Sequence, residues 1–256
     1  MTEILPQTIS MSPDGQQIWE VTEVAGGTLY LPDGDPAQKA ATAALLLADY
    51  TEKEPLGRGL LLGRVYAAST DETVVIKEAP VHFPSNDCET IRAQVALHHG
   101  FNTLAARGEE DKQNESWRFR APKILGGFVL HYIPDPEGNL DFSKSAPIGH
   151  RMVMERVEPI VSSEVYLPRN DRYRDTTPPV ANLQPQLPGE RQREGIYHRA
   201  IKAAGGTAKY IHDFDHHPTN LLIESEPLVE KGLFGRTRVV RKGSAVKIDI
   251  IPSYSR

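Results

Sequence analysis

Three separated segments carry residue types suited to holding and moving a phosphate group. The first is Gly57-Arg58-Gly59-Leu60-Leu61-Leu62-Gly63-Arg64-Val65. Glycines between strand-forming stretches let backbone amides approach anionic oxygens with no Cβ in the way. Taken alone, the run reads as a hairpin turn. The second is Lys77, which closes Thr73-Val74-Val75-Ile76-Lys77. A lone strand lysine belongs to an exposed face. This one follows the glycines by about a dozen residues, a separation over which a flexible ammonium reaches back to a group lying under the turn. Glu89 is the candidate counter-ion for it, or else a simple complement to the dipole of the helix it opens. The third is His212-Asp213-Phe214-Asp215-His216-His217-Pro218-Thr219-Asn220, running into the apolar stretch Leu221-Leu222-Ile223. Asp215 is placed to orient or deprotonate a hydroxyl. Asn220 offers a neutral oxygen to Mg²⁺. Asp249 stands within Val246-Lys247-Ile248-Asp249-Ile250, where a carboxylate is costly unless paired or bound to a metal.

The elements that must position these residues follow from pattern. Residues 8–31 read as short strands broken at Pro13-Asp14-Gly15 and Gly26-Gly27. Pro36 to Tyr50 is Ala/Leu-rich, with Asp35 as N-cap ahead of proline, and predicts a helix. Strands are predicted at Val65–Ser69 and Thr73–Lys77, and a helix over Asn86–Arg107 on Ile91, Val95, Leu97 and Leu104. Two further strands, 124–133 and 150–157, are joined by the turn-rich 134–147. Residues 165–190 hold five prolines and few apolar side chains, the composition of a linker or irregular loop. A helix is expected over Glu190–Ile211, weakened at Gly205-Gly206. A strand at 220–224, a basic hairpin-like segment and a strand at 245–251 close the chain.

Composition narrows the classes of function. Of 256 residues, 39% are hydrophobic and 25% charged, ordinary for a globular protein with a buried core. A formal net charge of −5 provides no broad field for nucleic acid, although Lys231 to Lys242 is locally basic. One cysteine, Cys88, excludes an internal disulfide framework and suits a reducing compartment. The N-terminus does not read as a signal peptide, and the longest apolar run, Ala41–Ala48, is too short to span a bilayer. We expect a cytoplasmic protein.

The order of these motifs resembles that of the protein-kinase-like superfamily. Arg64–Lys77 is similar to the glycine loop and following strand of protein kinases. Asp215-His216-His217-Pro218-Thr219-Asn220 is closer to the Asp-Leu-His-Pro-Gly-Asn loop of aminoglycoside and other small-molecule phosphotransferases. Val153-Met154-Glu155-Arg156-Val157 resembles the hinge that binds adenine through its backbone. The likeness runs from about residue 55 to 250. It implies that Gly57, Gly59, Gly63 and Val65 cover the phosphates of ATP, that Lys77 with Glu89 holds the α- and β-phosphates, and that the backbone of Glu155 and Val157 contacts adenine with Met154 behind it. Asp215 would be the catalytic aspartate, and Asn220 and Asp249 the Mg²⁺ ligands. The implied fold is α+β with two lobes. An antiparallel-sheet lobe with one important helix would span 1–157, and a reduced, mostly helical lobe 158–256.

The departures from that pattern are specific. The glycine loop is one residue longer than usual, Asp213 stands where arginine or glycine is common, and Ile250-Ile251 replaces Phe-Gly. Seven residues follow Asp249, so the second lobe is expected to be minimal. A tail, a protein partner or a small acceptor would account for the rest. The implied activity is transfer of the ATP γ-phosphate to a hydroxyl of a protein or small molecule. Two other readings stay open. One is a pseudokinase that binds nucleotide or a partner without transfer. The other is a metal-dependent phosphohydrolase built on His212, Asp213, Asp215, His216 and His217, with His98 and His99 supplying further histidines.

Overall fold

The alternation in Val74-Val75-Ile76-Lys77 is realised in the computed structural model. Val74 and Ile76 are buried on one face of a strand, while Val75 and Lys77 are half-buried on the other. The structure describes residues 6–12, 15–50, 53–58, 64–68, 71–80, 87–107, 116–131, 147–162, 166–167, 186–204, 220–231 and 237–248. Within them lie, in chain order, β1 (Gln7–Ser10), β2 (Ile18–Val24), β3 (Gly27–Pro32), α1 (Pro36–Leu47), β4 (Gly57–Arg58), β5 (Arg64–Ala67), β6 (Val74–Pro80), α2 (Asp87–Arg107) and β7 (Trp117–Arg120). They continue with β8 (Ile124–His131), β9 (Pro147–Glu155), β10 (Val161–Ser162), α3 (Glu190–Ala203), β11 (Leu221–Ser225), β12 (Leu228–Lys231), β13 (Thr237–Arg241) and β14 (Gly243–Lys247). The fold is mixed α and β. Among the described residues no helix is long and apolar enough to cross a membrane.

Packing divides the chain into two units, Met1–Val95 with Lys123–Arg156, and Ala96–Pro122 with Val157–Arg256. The first is built on an eight-stranded antiparallel sheet in the order β1-β2-β3-β8-β9-β6-β5-β4. One face packs Tyr66, Ile76, Phe128 and Val153 against Leu46 of α1. The other packs Trp19, Val129, Met152 and Met154 against Ile91 and Val95 of α2. Two adjacent glycines on β8 let both helices come close. A Cβ on Gly126 would lie 2.5 Å from Thr42 Cγ2, and one on Gly127 would lie 3.2 Å from Ile91 on the opposite face.

The cap expected for α1 is present: the Asp35 carboxylate accepts from the amides of Ala37 and Gln38, with Pro36 opening the helix. The far end of α1 is closed by Arg151 of β9. Its Nη1 donates to the carbonyls of Leu46 at 3.2 Å and Ala48 at 2.8 Å, and its Nε donates to Glu78 of β6 at 2.6 Å. Its guanidinium also lies 5.4 Å from the centre of the Tyr50 ring. A cation there satisfies carbonyls that helix geometry leaves without partners.

The second unit contains a four-stranded sheet, β10-β11-β14-β7, in which β7 runs parallel to β14, and a separate two-stranded ribbon of β12 and β13. Its core joins Leu97 and Phe101 of α2 to Ile196, Tyr197 and Ala200 of α3, and to Trp117 and Phe119 of β7. The helices cross closely at Gly100, where a Cβ would stand 2.4 Å from the carbonyl oxygen of Ala200.

Several expectations are corrected here. A mostly helical second part is not found: over the expected span 158–256 the described residues hold more strand than helix. The expected division at 157/158 puts Ala96–Pro122 on its first side, whereas these residues pack into the second unit because Leu97, Phe101, Trp117 and Phe119 complete its core. Both helices expected ahead of residue 157, over 36–50 and 86–107, are present as α1 and α2, and each packs against a face of the first unit's sheet. The proline-rich 165–190 stretch does not lead away as a linker at either end. Tyr166, Leu167 and Leu187 are buried, Leu187 donates to the Tyr166 carbonyl at 2.7 Å, and Trp117 Nε1 donates to the Gln186 carbonyl at 3.1 Å. The two described ends of the stretch are therefore joined to each other and to the second core. The helix expected to reach Ile211 ends at Ala203, ahead of Gly205-Gly206.

The crossing at Gly100 makes a paired prediction. Gly100→Ala forces a methyl against backbone and is expected to destabilise the fold by about 1–3 kcal/mol. Gly195→Ala, on α3 with only the Arg199 guanidinium 3.7 Å away, is expected to stabilise it by about 0.5–1 kcal/mol. Urea denaturation midpoints of the two variants, moving in opposite directions from the parent, check both.

Candidate functional site

The candidate residues of the first unit are brought together by strand register. β4 pairs with β5 through Gly57↔Val65 and Arg58↔Arg64, so residues 59–63 connect an antiparallel hairpin. β5 then pairs with β6 through Val65↔Lys77, and β6 with β9 through Lys77↔Met152 and Val75↔Met154. Val65, Lys77 and Met152 thus form one row across three strands. Lys77 is half-buried on the face that α2 covers, because Val75, two residues earlier, packs with Met152, Met154 and Ile91. Glu89 belongs to the first turn of α2, two residues ahead of Ile91. The Glu89 side chain, Gly59 and Gly63 lie outside the described residues.

The stretch expected to meet adenine has a defined set of backbone groups. Met154 is buried in the sheet core. The Glu155 amide donates to the Lys123 carbonyl at 2.9 Å, and its side chain accepts from the Lys123 amide. The Arg156 amide donates to the Thr73 carbonyl at 2.7 Å. The Glu155 amide is therefore already engaged within the first unit. At Val157, which is half-buried, no hydrogen bond of the amide is found among the described residues.

Of the candidate residues of the second unit, Asn220 stands at one end of the β11–β14 pair. The register runs Leu221↔Lys247, Leu222↔Val246 and Ile223↔Ala245. One step beyond, the Ile248 amide donates to the Asn220 carbonyl at 3.0 Å. This holds Asn220 opposite the residue that precedes Asp249 in the chain. The side-chain Nδ2 of Asn220 is buried and has no hydrogen-bond partner among the described residues. An asparagine side chain carries an NH₂ donor suited to a phosphate oxygen and an oxygen suited to a hard cation. The residues present fit a magnesium-phosphate ligand to that extent. Asp215 and Asp249 lie outside the described residues.

Two charged residues of this unit escaped the sequence reading. Lys247, on β14 two positions before Asp249, is fully buried, with Nζ 5.8 Å from the centre of the Tyr197 ring. Arg193, one turn ahead of Tyr197 on α3, is also fully buried and donates from Nη1 to the Pro188 carbonyl at 2.9 Å. The signal available for Lys247 was its place in the same apolar strand that drew attention to Asp249. Arg193 sits among other charged residues in 190–194 and carried no such signal.

At the other end of β11, Glu224 is fixed by Arg120 of β7. Arg120 Nε donates to Oε2 at 3.1 Å and Nη2 to Oε1, while Ser244 Oγ of β14 donates to Oε2 at 2.9 Å. The bridge spans three strands and steadies the one that begins next to Asn220. The hydrogen bonds from Arg120 hold the Glu224 carboxyl below its usual range, opposed by partial burial and helped by Ser244.

No protein-family model matches the chain, and no curated protein matches it.

A carboxyl whose folded-state pKa is depressed adds stability above its unfolded value, near 4.3 for glutamate, and loses it as pH falls through the lower folded value. Glu224→Gln is therefore expected to lower stability by up to about 1 kcal/mol at neutral pH. It should also flatten the decline in stability below about pH 5. Urea melts of parent and variant from pH 7 to pH 3 should converge towards the acid end.

Proposed function

We propose that the protein is an ATP- and Mg²⁺-dependent phosphotransferase that moves the γ-phosphate to a hydroxyl acceptor, with the protein-kinase-like architecture that its motif order implies. The observation that carries this reading is the row Val65–Lys77–Met152. It sets the lysine strand directly between the glycine hairpin and the strand that ends in the adenine-binding stretch. The strands that carry the three motifs named by the resemblance thus lie in one sheet. The hydrogen bond from the Ile248 amide to the Asn220 carbonyl supports the reading, because it holds one expected metal ligand opposite the residue that precedes the other in the chain.

Bound with magnesium, ATP supplies the phosphoryl group and the leaving ADP. The work left to the protein is positioning and charge neutralisation. Gly57, Gly59, Gly63 and Val65 cover the phosphates, and the Lys77 ammonium, oriented by Glu89, neutralises the α- and β-phosphate oxygens. The Glu155 carbonyl and the Val157 amide fix the adenine edge, with Met154 behind them. The Asn220 side-chain oxygen and the Asp249 carboxylate hold the metal. Asp215 orients the acceptor hydroxyl and takes its proton as the oxygen attacks. The acceptor is a protein side chain or a metabolite, and the cytoplasm is the compartment that supplies ATP and the reducing conditions suited to Cys88.

Incubation with Mg²⁺ and γ-labelled ATP tests the proposal, with label followed into the protein itself, cell extract and metabolite pools. The parent is expected to transfer label. Asp215→Ala should reduce transfer by a factor of about 10²–10⁴ while keeping its circular dichroism spectrum. Lys77→Ala should weaken nucleotide-dependent thermal stabilisation. Stabilisation by nucleotide with no transfer to any pool would identify a binding module instead, and no response to nucleotide at all would remove the proposal.

A further inference from the structure

We propose that the β12–β13 ribbon is a docking surface for an anionic phospholipid bilayer, independent of the nucleotide chemistry. Residues 231–242 contain Lys231, Arg236, Arg238, Arg241 and Lys242 and no acidic residue, in a chain whose formal net charge is −5. The ribbon is a sheet of its own, paired with no other strand among the described residues. Its register runs Leu228↔Arg241, Val229↔Val239, Glu230↔Arg238 and Lys231↔Thr237, with a bulge that leaves Val240 without a cross-strand partner. Strand alternation puts Leu228 and Glu230 on one face of β12, and Arg238 and Val240 on the same face of the ribbon. Leu228 and Val240 are each 48% exposed, and Lys231, Arg238 and Arg241 are exposed.

Lys39, Arg120 and Arg151 each have a carboxylate partner. Lys231, Arg238 and Arg241 have none among the described residues, although Glu230 stands directly across from Arg238. Exposed cations on a free strand also deter pairing with a second copy of the strand. That role does not call for Leu228 and Val240 to be exposed beside them. Aliphatic side chains gain nothing from nucleic-acid phosphates, and the described part of the ribbon has no aromatic ring on which a base stacks. A bilayer accepts both features: anionic headgroups meet the cations, and the boundary with the acyl chains accepts leucine and valine.

The test is co-sedimentation of the full chain with vesicles of phosphatidylcholine alone and with 30% phosphatidylserine. Binding is expected to the serine-containing vesicles only, and to fall in high salt. Each cation near such a surface contributes about a factor of five in partition, so Arg238→Glu with Arg241→Glu should lower binding at least about 25-fold. Arg238→Lys with Arg241→Lys should keep it, and Leu228→Ser with Val240→Ser should weaken it with charge unchanged. Circular dichroism of each variant confirms that it folds. Equal binding to both vesicle types, no binding to either, or binding that survives charge reversal would overturn the proposal. So would a preference for single-stranded nucleic acid over the anionic vesicles.

Discussion

The antiparallel pairing of β6 with β9 is the constraint on which the first unit depends. Seven residue pairs, from Val74↔Glu155 to Pro80↔Gly149, join segments separated by about seventy residues of chain. That pairing closes the middle of the eight-stranded sheet. Its alternation assigns each side chain to one face: Ile76 and Val153 to the core under α1, and Met152 and Met154 to the core under α2. Lys77 shares the second face because its position is odd where that of Ile76 is even. A slip of one residue would send Lys77 to the α1 face and Ile76 to the α2 face. The Glu78–Arg151 ion pair guards against such a slip, since it joins a directly opposed pair whose guanidinium is also committed to the carbonyls closing α1.

Much of this arrangement could be read from the sequence because the signals were local. Asp35-Pro36 announces a helix start that the structure caps as expected. The β-branched alternation of 73–77 and the apolar run of 150–155 fall on β6 and β9. What escaped was set by distant partners. Trp117–Arg120 is short and follows a charged stretch, and it becomes a strand only because β14, more than a hundred residues later, lies beside it in parallel. The proline-rich 165–190 stretch has the composition of a linker, yet Trp117 and Tyr166, with ring centres 5.1 Å apart, hold both its ends on one core. Periodicity likewise gave no hint that α2 serves two cores, with Ile91 and Val95 in one and Leu97 and Phe101 in the other.

The candidate site was legible to a different degree in each unit. The resemblance implied that the glycines, Lys77 and Met154 act together, and the register puts the strands that carry Gly57, Lys77 and Met154 in one sheet. Hydrogen bonding then added what sequence could not address: the Glu155 amide is already used by the Lys123 carbonyl. In the second unit, sequence singled out Asn220 and Asp249 by residue type and apolar setting, but not the fully buried Lys247 between them in the same strand pair.

The strand pair that carries Asn220 also explains how the chain accommodates the basic ribbon. Between Leu221 and Lys247 the chain runs out along β11, through β12 and β13, and back along β14. The antiparallel register determines where the outer ends of β11 and β14 meet, whatever the length of chain joining their inner ends. The Arg120–Glu224–Ser244 bridge lies near the inner end, close to where the ribbon departs, and the Ile248–Asn220 hydrogen bond lies at the outer end. A ribbon inserted there can take on an exposed and strongly basic composition without disturbing the position of Asn220. The constraint acts in the other direction as well. A change in the register of β11 against β14 would leave the ribbon's own pairing intact, while removing the Ile248 amide from Asn220 and carrying the following acidic position away with it.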